Sequence, residues 1–414
     1  MGRSGVRVAL VSEHASPLAA IGGVDAGGQN VHVAELAAGL VRLGHSVAVY
    51  TRRDDPELPE RLTTAAGYEV VHVPAGPAAQ VPKDDLWPYM AAFADRLTEM
   101  LTFQRPDVVH AHFWMSAWAS AAAARRLELP LVVTFHALGT VKRRHQGRSD
   151  TSPLNRIRVE TAVAAEADFI VATCSDEVTE LGFLGVPASK AVVVPCGVDL
   201  GHFSPATGNG SSAAIPEPTY RYRLVSAGRL VRRKGYDTTI EALTRLPETE
   251  LVIAGGGDAT PEPEHDRLLA LADQLGVADR VHLIGQVART AMPALFRSAD
   301  LVICSPWYEP FGIVPLEAMA CGVPVVASAV GGMLDTVVDG VTGAHVPPRD
   351  PVALAEVVGA LLAAPEQRAE MARTGLKRVR SRYSWDRVAA DTAAVYQRTV
   401  RRLGAETART APLS

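Results

Sequence analysis

The strongest constraint on the fold is an alternation, repeated along nearly the whole chain, between short apolar runs and longer amphipathic stretches. The runs at 6–11, 46–50, 108–112 and 169–172 have the length and β-branched content of strands, while 31–43 has the apolar spacing of a helix. Runs that are apolar throughout, such as LVVTF and FIVAT, indicate strands buried on both faces of a parallel sheet. The pattern therefore predicts an α/β fold built from βαβ units.

The alternation is interrupted once, and the interruption divides the chain. Residues 204–219 read SPATGNGSSAAIPEPT, which is typical of a linker or an exposed loop. We predict an N-terminal domain over 1–203, a C-terminal domain over 220–383 and a last helix over 384–403. Each domain is expected to be doubly wound and Rossmann-like, facing the other across a cleft, with ligands at the carboxyl ends of the strands.

Composition excludes several classes of protein. The chain has 414 residues, of which 48% are hydrophobic and 21% charged, enough for a core and unlike a disordered chain. A net charge of −4 gives no positive field for nucleic acid or acidic lipid. No apolar run reaches the roughly 18 residues of a membrane span, and the first one is too short for a signal peptide. We therefore expect a cytoplasmic protein that binds small molecules.

The cysteines give no sign of a metal or redox site. Cys174, Cys196, Cys304 and Cys321 stand apart, and none belongs to a C-x-x-C pair. We expect them to be buried thiols of a reducing compartment.

A glycine-rich loop, IGGVDAGGQN at 21–30, follows the first predicted strand and precedes a helix. Its glycines are Gly22, Gly23, Gly27 and Gly28. Glycines let a ligand approach the backbone, and amides at a helix start favour an anion, so the loop fits a diphosphate. The alternative is a flexible turn that binds nothing, because the spacing is not the dinucleotide pattern G-x-G-x-x-G.

Basic residues mark the first strand-to-helix turn of the second domain. The predicted strand 222–227 is followed by Arg229 and Lys234. An arginine fork and a lysine point charge at this place can neutralise phosphate oxygens and take the place of a metal. The alternative is a solvated basic turn, since Arg232 and Arg233 are also present.

The segment WYEPFGIVPLEAMACG, which begins at Trp307, is the most informative part of the chain. Glu309 precedes a predicted helix and Glu317 falls in its first turns. A carboxylate accepts hydrogen bonds from a pair of vicinal sugar hydroxyls, while free amides at the helix start attract an anion. Helix capping explains either glutamate alone, but not the pair together with EPFG. The amides in question are those of Gly312, Ile313 and Val314.

Two weaker candidates lie at other predicted strand ends. His136 directly follows the run 131–135, where a functional histidine competes with a buried structural one as the interpretation. The glycines of GGGD at 255–258 and Gly285 either form turns or line a nucleotide.

Together these segments resemble the retaining, nucleotide-sugar-dependent glycosyltransferases of family four, the group 1 glycosyltransferases, which have the two-domain GT-B fold. The resemblance covers nearly the whole chain. Besides His136, the motifs that carry it are GGVDAGGQNVHV, ETAVAAEADFIVAT, VPCGVDLGHFSP, GRLVRRKG, EPFGIVPLE and YSWDRVAADTAAVY.

The resemblance implies a role for each donor-side candidate. Glu317 would hold the ribose hydroxyls and Glu309 would contact the transferred sugar. Arg229, Lys234 and the helix amides would hold the diphosphate, and His136 would bond a hydroxyl of the donor sugar. Such enzymes generally need no metal or other cofactor, and their final helix crosses back onto the first domain.

The local pattern is nearest to the sucrose-phosphate synthases and to the inositol-phosphate glycosyltransferases of mycothiol synthesis. In the latter, a Lys, a Tyr, a Thr and an Arg grip the acceptor phosphate. Lys83 and Arg156 match this set, but Phe113 and Ala137 replace its two hydroxyl-bearing members. The acceptor side predicted for this chain consists of Asn30, Lys83, Phe113 and Arg156.

The expected reaction moves a hexosyl unit from a UDP- or GDP-sugar to a small polar acceptor, with retention at the anomeric carbon. The acceptor is a cyclitol, a sugar phosphate or a natural-product intermediate. No carboxylate is assigned as a nucleophile, so we expect the leaving diphosphate to take the proton of the acceptor. The alternatives are a sugar-nucleotide epimerase or phosphorylase on the same scaffold, and a non-catalytic sugar-nucleotide-binding protein. A homodimer is left open.

Overall fold

The chain forms two units, each built on its own sheet. A computed structural model describes residues 5–19, 27–205, 215–256 and 263–410. The first unit comprises Met1–Pro195 and Trp385–Ser414, and the second comprises Cys196–Ser384.

The division between the units falls before the predicted linker at 204–219. The Val198 amide donates to the Tyr383 carbonyl at 2.8 Å, and Phe203 is buried near Phe296 in the core of the second unit. These contacts attach the residues just before the linker to the second unit.

The sheet of the first unit is mainly parallel. Its strands, in the described residues, are β1 (Arg7–Val11), β2 (Ser46–Arg52), β3 (Arg61–Thr63), β4 (Glu69–Val73), β5 (Val108–His112), β6 (Leu131–Thr134), β7 (Phe169–Ala172) and β8 (Ala191–Val193). Their order is β3-β4-β2-β1-β5-β6-β7-β8. Strand β3 runs antiparallel to β4, and the other strand pairs of this sheet are parallel, as predicted for its buried strands. Strands β5 and β7 are buried along their whole length, as strands covered on both faces must be.

Six helices of the first unit alternate with these strands. They are α1 (Gly28–Arg42), α2 (Met90–Phe103), α3 (Trp114–Leu127), α4 (Gly139–Gln146), α5 (Arg156–Glu166) and α6 (Ser175–Phe183), counted within the described residues.

The sheet of the second unit is parallel in the described residues. Its strands are β9 (Tyr222–Ala227), β10 (Thr249–Ala254), β11 (Val281–Leu283), β12 (Leu301–Cys304), β13 (Val325–Ser328) and β14 (Gly343–Val346), in the order β11-β10-β9-β12-β13-β14. The helices between and after them are α7 (Tyr236–Leu243), α8 (Pro263–Gln274), α9 (Met292–Arg297), α10 (Ile313–Ala320), α11 (Met333–Thr336), α12 (Pro351–Ala363) and α13 (Pro365–Arg382). The two sheets with their helices confirm the predicted α/β fold.

The last helix, α14 (Trp385–Thr410), belongs to the first unit. Val388 and Tyr396 of this helix share a buried cluster with Leu36 of α1. Gly39 of α1 lets the two helices approach closely, because a Cβ at that position would lie 2.7 Å from the Cβ of Ala389.

Burial determines the state of the cysteine thiols. The four cysteines are buried thiols, as predicted. Burial raises the pKa of Cys304 and of Cys321 to about 12, so both thiols stay protonated near neutral pH.

Among the helices of the described ranges, none combines the length and the apolar character that crossing a membrane requires.

Candidate functional site

A partly buried ion pair lies beyond the carboxyl end of β9 in the second unit. The Lys234 Nζ donates to Glu309 Oε2 at 2.6 Å, and Arg233 Nη1 lies 3.8 Å from the same oxygen. Glu309 is 7% exposed. Burial alone would raise the pKa of Glu309, but the charges of Lys234 and Arg233 hold it below its usual value. The structure thus brings two predicted residues together and adds Arg233, which the sequence left as part of a solvated turn.

The backbone around Glu309 is fixed by close contacts with a second glycine-rich loop. The Gly332 amide donates to the Glu309 carbonyl at 2.8 Å. A Cβ on Gly331 would lie 2.3 Å from that carbonyl oxygen, and Gly331 has φ of +47°. A side chain at position 331 would therefore displace the loop that carries Glu309.

Helix α10 begins directly after this loop. Gly312 adopts the left-handed conformation, with φ 72° and ψ 45°, and is the N-cap residue of the helix. Amides in the first turn of a helix lack intrahelical partners, and Pro315 has no N–H. The structure therefore places the predicted amides of Gly312, Ile313 and Val314 at a helix start, where the helix dipole favours an anion.

Glu317 lies one turn further along α10 and is also shielded from solvent. Its side chain is 13% exposed, and its Oε1 lies 4.0 Å from Arg289 Nη1. Burial raises the pKa of Glu317 to about 7, and the Arg289 charge opposes this shift. The two glutamates thus differ in charge state near neutral pH, since Glu309 is ionised and Glu317 is partly protonated.

This difference predicts a pH dependence of stability. Because the pKa of Glu317 lies above its usual 4.5 in the folded chain, this carboxyl keeps its proton between those two values while the unfolded chain has released it. The folded state binds more protons in that window, so this group's contribution to the free energy of unfolding falls as the pH rises from about 4.5 to about 7. Glu317→Gln is expected to remove that fall. Urea unfolding of both proteins at about pH 5 and about pH 8 measures it, and equal pH dependence in the two proteins would contradict the assignment.

Three glycines at strand ends of the second unit, Gly228, Gly255 and Gly285, have identifiable structural roles. The Gly228 amide donates to the Ala254 carbonyl at 2.9 Å, and the Gly255 amide donates to the Gly285 carbonyl at 2.8 Å. A Cβ on Gly255 would lie 1.9 Å from the Gly228 carbonyl oxygen. Gly285 has φ of +70°. Positions 257 and 258 of GGGD lie outside the described residues. The nucleotide contact expected of Gly285 stays a prediction. The role of Arg229, which directly follows Gly228, also stays a prediction.

In the first unit, His136 belongs to a cluster of buried histidines. His136 follows β6 with φ of +63°, and its Nε2 shares a 2.9 Å hydrogen bond with His112 Nδ1. The ring of His32 lies 5.1 Å from that of His136. Burial lowers the pKa of all three, that of His32 to about 4. His136 is therefore a neutral ring whose Nε2 is already engaged.

A fourth histidine connects this cluster to the end of the chain. His110 Nδ1 bonds Tyr396 Oη of α14 at 2.7 Å, and its Nε2 bonds Thr134 Oγ1 at 2.9 Å. Burial lowers the pKa of His110 to about 3. Our sequence reasoning missed His110 and His112, although their spacing of two along a strand places both side chains on one face.

The described part of the glycine-rich loop is held by Asn30. The Gly27 amide donates to Asn30 Oδ1 at 3.0 Å, and Asn30 Nδ2 donates to the Ser16 carbonyl at 3.0 Å. Both the oxygen and the nitrogen of the Asn30 side-chain amide therefore bond the protein's own backbone. The contact of Asn30 with an acceptor stays a prediction. Gly28 is the first residue of α1, and positions 20–26 lie outside the described residues.

Arg156, a predicted acceptor residue, is buried and engaged on all sides. Its Nε donates to Glu160 Oε1 at 2.7 Å, and its Nη1 donates to Ser152 Oγ at 3.1 Å. Its Nη2 donates to the Ala137 carbonyl. The guanidinium carbon lies 5.0 Å from the ring centre of Phe113. Phe113 and Arg156 are therefore in direct contact, and Ala137 takes part through its backbone.

Lys83 joins Arg156 through a network that the sequence did not reveal. Lys83 Nζ lies 3.3 Å from Asp84 Oδ1, and Lys142 Nζ lies 3.7 Å from Asp84 Oδ2. Lys142 Nζ also lies 3.1 Å from Asp150 Oδ1 and donates to Ser152 Oγ at 2.8 Å. Because Ser152 also accepts from Arg156, one polar network connects the two predicted cations. Lys142 and Asp150 lie in KRRHQGRSD, which reads as a solvated charge run.

The described residues offer no obvious metal site. Within 5–19, 27–205, 215–256 and 263–410, no three His, Cys, Asp or Glu side chains are grouped so that they could hold a metal ion. The expected independence from metal stays a prediction.

Two family models match the chain, one in each half. Residues 26–202 match "Glycosyltransferase Family 4", and residues 211–378 match "Glycosyl transferases group 1".

Similar proteins are found along the full length of the chain. It is 39% identical over 413 residues to a D-inositol 3-phosphate glycosyltransferase of Xylanimonas cellulosilytica, with 97% of this chain and 99% of that protein covered. It is 36% identical over 402 residues to a protein of the same name from Mycolicibacterium paratuberculosis, covering 95% and 91%.

Solved structures show the same fold. Sucrose-phosphate synthase from Thermosynechococcus elongatus matches with a TM-score of 0.84 and 30% identity, over 95% of this chain and 98% of that one. Anabaena HepE in complex with UDP-glucose matches in fold, with a TM-score of 0.71 and 21% identity over 95% and 99%.

Proposed function

We propose a reaction for this chain, which belongs to the family four, group 1 glycosyltransferases. The proposed reaction moves a hexosyl unit from a nucleoside diphosphate sugar to a small hydroxyl-bearing acceptor, with retention at the anomeric carbon. One observation carries the proposal within the second unit. The Lys234–Glu309 pair adjoins the helix start of Gly312, so a cation, a carboxylate and free amides are collected at the carboxyl edge of one sheet. A diphosphate linked to a sugar needs this combination of partners.

Each group has a distinct task in the proposed step. Lys234, Arg229 and the amides at the start of α10 stabilise the negative charge that develops on the diphosphate as its bond to the sugar breaks. Glu309, which is ionised, accepts a hydrogen bond from a hydroxyl of the transferred sugar. Glu317 accepts hydrogen bonds from the ribose hydroxyls.

The proton and the bonds balance without a protein nucleophile. The C–O bond between the anomeric carbon and the diphosphate breaks, and the acceptor oxygen bonds that carbon on the same face. The acceptor hydroxyl loses its proton to the departing diphosphate oxygen. No metal is needed in this route, since Lys234, Arg229 and the amides supply the positive charge.

The acceptor side is proposed to recognise a polyhydroxyl compound. Lys83, Lys142 and Arg156 are matched by three carboxylates, those of Asp84, Asp150 and Glu160. Of these side chains, those of Lys83, Asp84 and Lys142 are partly exposed, and they offer both donors and acceptors to hydroxyl groups. Phe113 places an aromatic ring where the inositol-phosphate enzymes have a hydroxyl-bearing side chain. The acceptors to be tested therefore include free cyclitols as well as cyclitol phosphates.

A ligand screen tests the donor. Full-length protein is melted with UDP, GDP, ADP and their hexose conjugates, each alone. A ligand at 100 times its Kd adds about 2.7 kcal/mol to the free energy of unfolding, so the true nucleotide is expected to raise Tm by several degrees. No shift with any of them would contradict the proposal.

The best nucleotide sugar is then incubated with and without myo-inositol and its 3-phosphate. Transfer that requires an acceptor is the expected result. A changed sugar configuration in the donor without any acceptor would instead identify an epimerase.

A further inference from the structure

A tight turn within the segment VPCGVDLGHFSP is fixed by Asp199. Asp199 Oδ1 accepts hydrogen bonds from the amides of Gly201 and His202, at 3.0 and 3.1 Å. The Asp199 carbonyl accepts from the Phe203 amide at 2.8 Å. The His202 and Phe203 rings lie next to each other, with 4.8 Å between the ring centres. From Cys196 onward the segment belongs to the second unit, so the turn presents two adjacent rings to that unit.

Both rings of this turn hold Arg289, which follows β11. His202 Nε2 lies 2.8 Å from the Arg289 carbonyl oxygen, and Nε2 must carry the proton because a carbonyl only accepts. The Arg289 guanidinium carbon lies 5.4 Å from the centre of the Phe203 ring, within the range of a cation–π interaction. Phe203 is itself buried in the core. The backbone and the side chain of Arg289 are therefore both positioned by the turn.

The guanidinium of Arg289 faces the carboxyl of Glu317 without bonding it. Arg289 Nη1 and Glu317 Oε1 are 4.0 Å apart, which is too far for a direct hydrogen bond. The two side chains are 30% and 13% exposed, so a ligand can reach both. Burial and the Arg289 charge act on the pKa of Glu317, and no amide or side-chain donor in the described part of the chain bonds its carboxyl. A carboxylate that is shielded from water needs such donors, and a ligand can supply them.

The separation of 4.0 Å fits a single hydroxyl group between the two side chains. A hydroxyl donates one hydrogen bond and accepts others, so it can donate to Glu317 while it accepts from Arg289. Bonds of about 2.7 Å to the carboxylate and about 2.9 Å to the guanidinium, meeting at about 90–110°, put the outer atoms about 4.0–4.6 Å apart. An ionised phosphate does not fit this place, because it lacks the hydrogen that Glu317 requires. The pair is therefore suited to an alcohol group.

The pair lies at the edge of the sheet where a nucleotide is expected. Arg289 lies between β11 and α9, and Glu317 lies on α10 after β12, so both belong to segments that leave the carboxyl edge of the second sheet. The chain order reverses at β9, which pairs with β10 and β12, and ligands of such sheets bind at this point. Glu317 follows Gly312 on α10 by about 7.5 Å along the helix axis. A ribose at the pair is thus within reach of a diphosphate at the helix start.

We propose that Arg289 binds the donor nucleotide: its guanidinium donates a hydrogen bond to one ribose hydroxyl, and the same hydroxyl donates to Glu317. The proposal rests on the proposed function for the nature of the ligand. His202 and Phe203 are positioning residues, which explains why Asp199 fixes the turn that carries them. A site built around a hydroxyl rejects the analogue that lacks it, because its own polar groups are then left unpaired. The pair is therefore expected to select ribose over deoxyribose.

The binding test uses the nucleoside diphosphate selected by the melting screen, together with its 2′-deoxy and 3′-deoxy counterparts. Calorimetry measures the Kd of each for the parent protein, for Arg289→Met and for the control Arg221→Met. Arg221 is a matched control because its guanidinium also stacks on a ring, that of Tyr222 at 5.0 Å, and also faces a glutamate, Glu248 at 3.2 Å. Arg221 directly precedes β9 and therefore lies at the opposite edge of the same sheet.

Arg289→Met is expected to weaken binding of the ribonucleotide about tenfold, the effect of one lost hydrogen bond from a charged donor. For the deoxynucleotide that lacks the bridging hydroxyl, Arg289→Met should leave the Kd nearly unchanged, because the contact is already absent in the parent. Arg221→Met should bind all three nucleotides as the parent does. An unchanged Kd for the ribonucleotide in Arg289→Met overturns the proposal, as does an equal weakening for all three nucleotides.

The positioning role of the turn is tested with the same nucleotides. His202→Leu removes the bond to the Arg289 backbone and is expected to weaken the ribonucleotide but not the deoxynucleotide that lacks the bridging hydroxyl. His202→Gln is expected to restore part of the affinity, because its amide nitrogen also donates. A parental Kd in His202→Leu, or an equal weakening for all three nucleotides, overturns the positioning role.

A second measurement applies if no nucleotide binds, which is the failure of the proposed function. Protein labelled with ¹³C at the glutamate carboxyl carbons reports Glu317, whose signal is the one missing in Glu317→Gln. Because the Arg289 charge favours the ionised form, the pKa of Glu317 should be higher in Arg289→Met than in the parent. The thiols of Cys304 and Cys321 also interact with Glu317, and both stay protonated near neutral pH.

Uridine, guanosine and adenosine carry the ribose without the diphosphate. At least one of them is expected to shift the Glu317 signal in the parent and to shift it less in Arg289→Met. A pKa of Glu317 that is the same in both proteins overturns the proposal, as does a signal that none of the three nucleosides moves.

Discussion

Lys234→Ala is expected to lower the rate of sugar transfer at least about 100-fold, the cost of removing a group that stabilises charge developing in a transition state. Lys234 is the cation nearest to Glu309, at 2.6 Å. Its loss removes positive charge from the diphosphate and also leaves the buried Glu309 with Arg233, which lies at 3.8 Å. Both effects raise the barrier, so the loss should appear in kcat as well as in kcat/KM. Steady-state kinetics with the native donor measure it.

The control is Arg232→Ala, which removes a neighbouring positive charge from the same turn. The Arg232 side chain is 70% exposed and lies 4.0 Å from Glu264, away from Glu309. We expect it to transfer sugar at nearly the parental rate. Normal turnover in Lys234→Ala would contradict the assignment of the diphosphate site. An equal loss in both variants would mean that the net positive charge of the turn matters and that Lys234 has no specific role.

Arg156→Ala is expected to cost about 3–5 kcal/mol of the free energy of unfolding, the range for a buried ion pair that loses one partner. Arg156 and Glu160 are both almost fully buried, and their charged atoms are 2.7 Å apart. Burial already raises the pKa of Glu160, and Arg156 opposes that shift. Without Arg156 the carboxyl must take up a proton or remain a buried charge, and the stack on Phe113 is lost as well. Urea unfolding measures the loss.

Two further variants serve as controls for the stability loss expected in Arg156→Ala. Arg158→Ala removes an exposed arginine from the same helix and should change stability by less than about 0.5 kcal/mol. Arg156→Ala combined with Glu160→Ala removes the stranded charge, so it should be more stable than Arg156→Ala alone. A loss in Arg156→Ala no larger than that of Arg158→Ala would mean that the pair does not stabilise the fold.

The regular parts of the fold could be predicted because central strands are buried on both faces. The predicted strands at 108–112, 169–172 and 222–227 coincide with β5, β7 and β9. Strands β3, β4, β8 and β14 were missed. Three of them, β3, β8 and β14, lie at the edge of a sheet and have three or four residues, so a short run with one neighbouring strand leaves a weak apolar pattern.

The sequence by itself determined the fold class, the family and the segments that carry the candidate chemistry, because strand period, glycine positions and EPFG are local patterns. Only the tertiary structure decided which side chains meet. Glu309 and Lys234 are 75 residues apart, His110 and Tyr396 are 286 apart, and Glu13 and Ser116 are 103 apart. Whether a glutamate is ionised or a histidine is neutral depends on burial and on such distant partners. No local pattern contains that information, since it arises only when the strands are placed side by side.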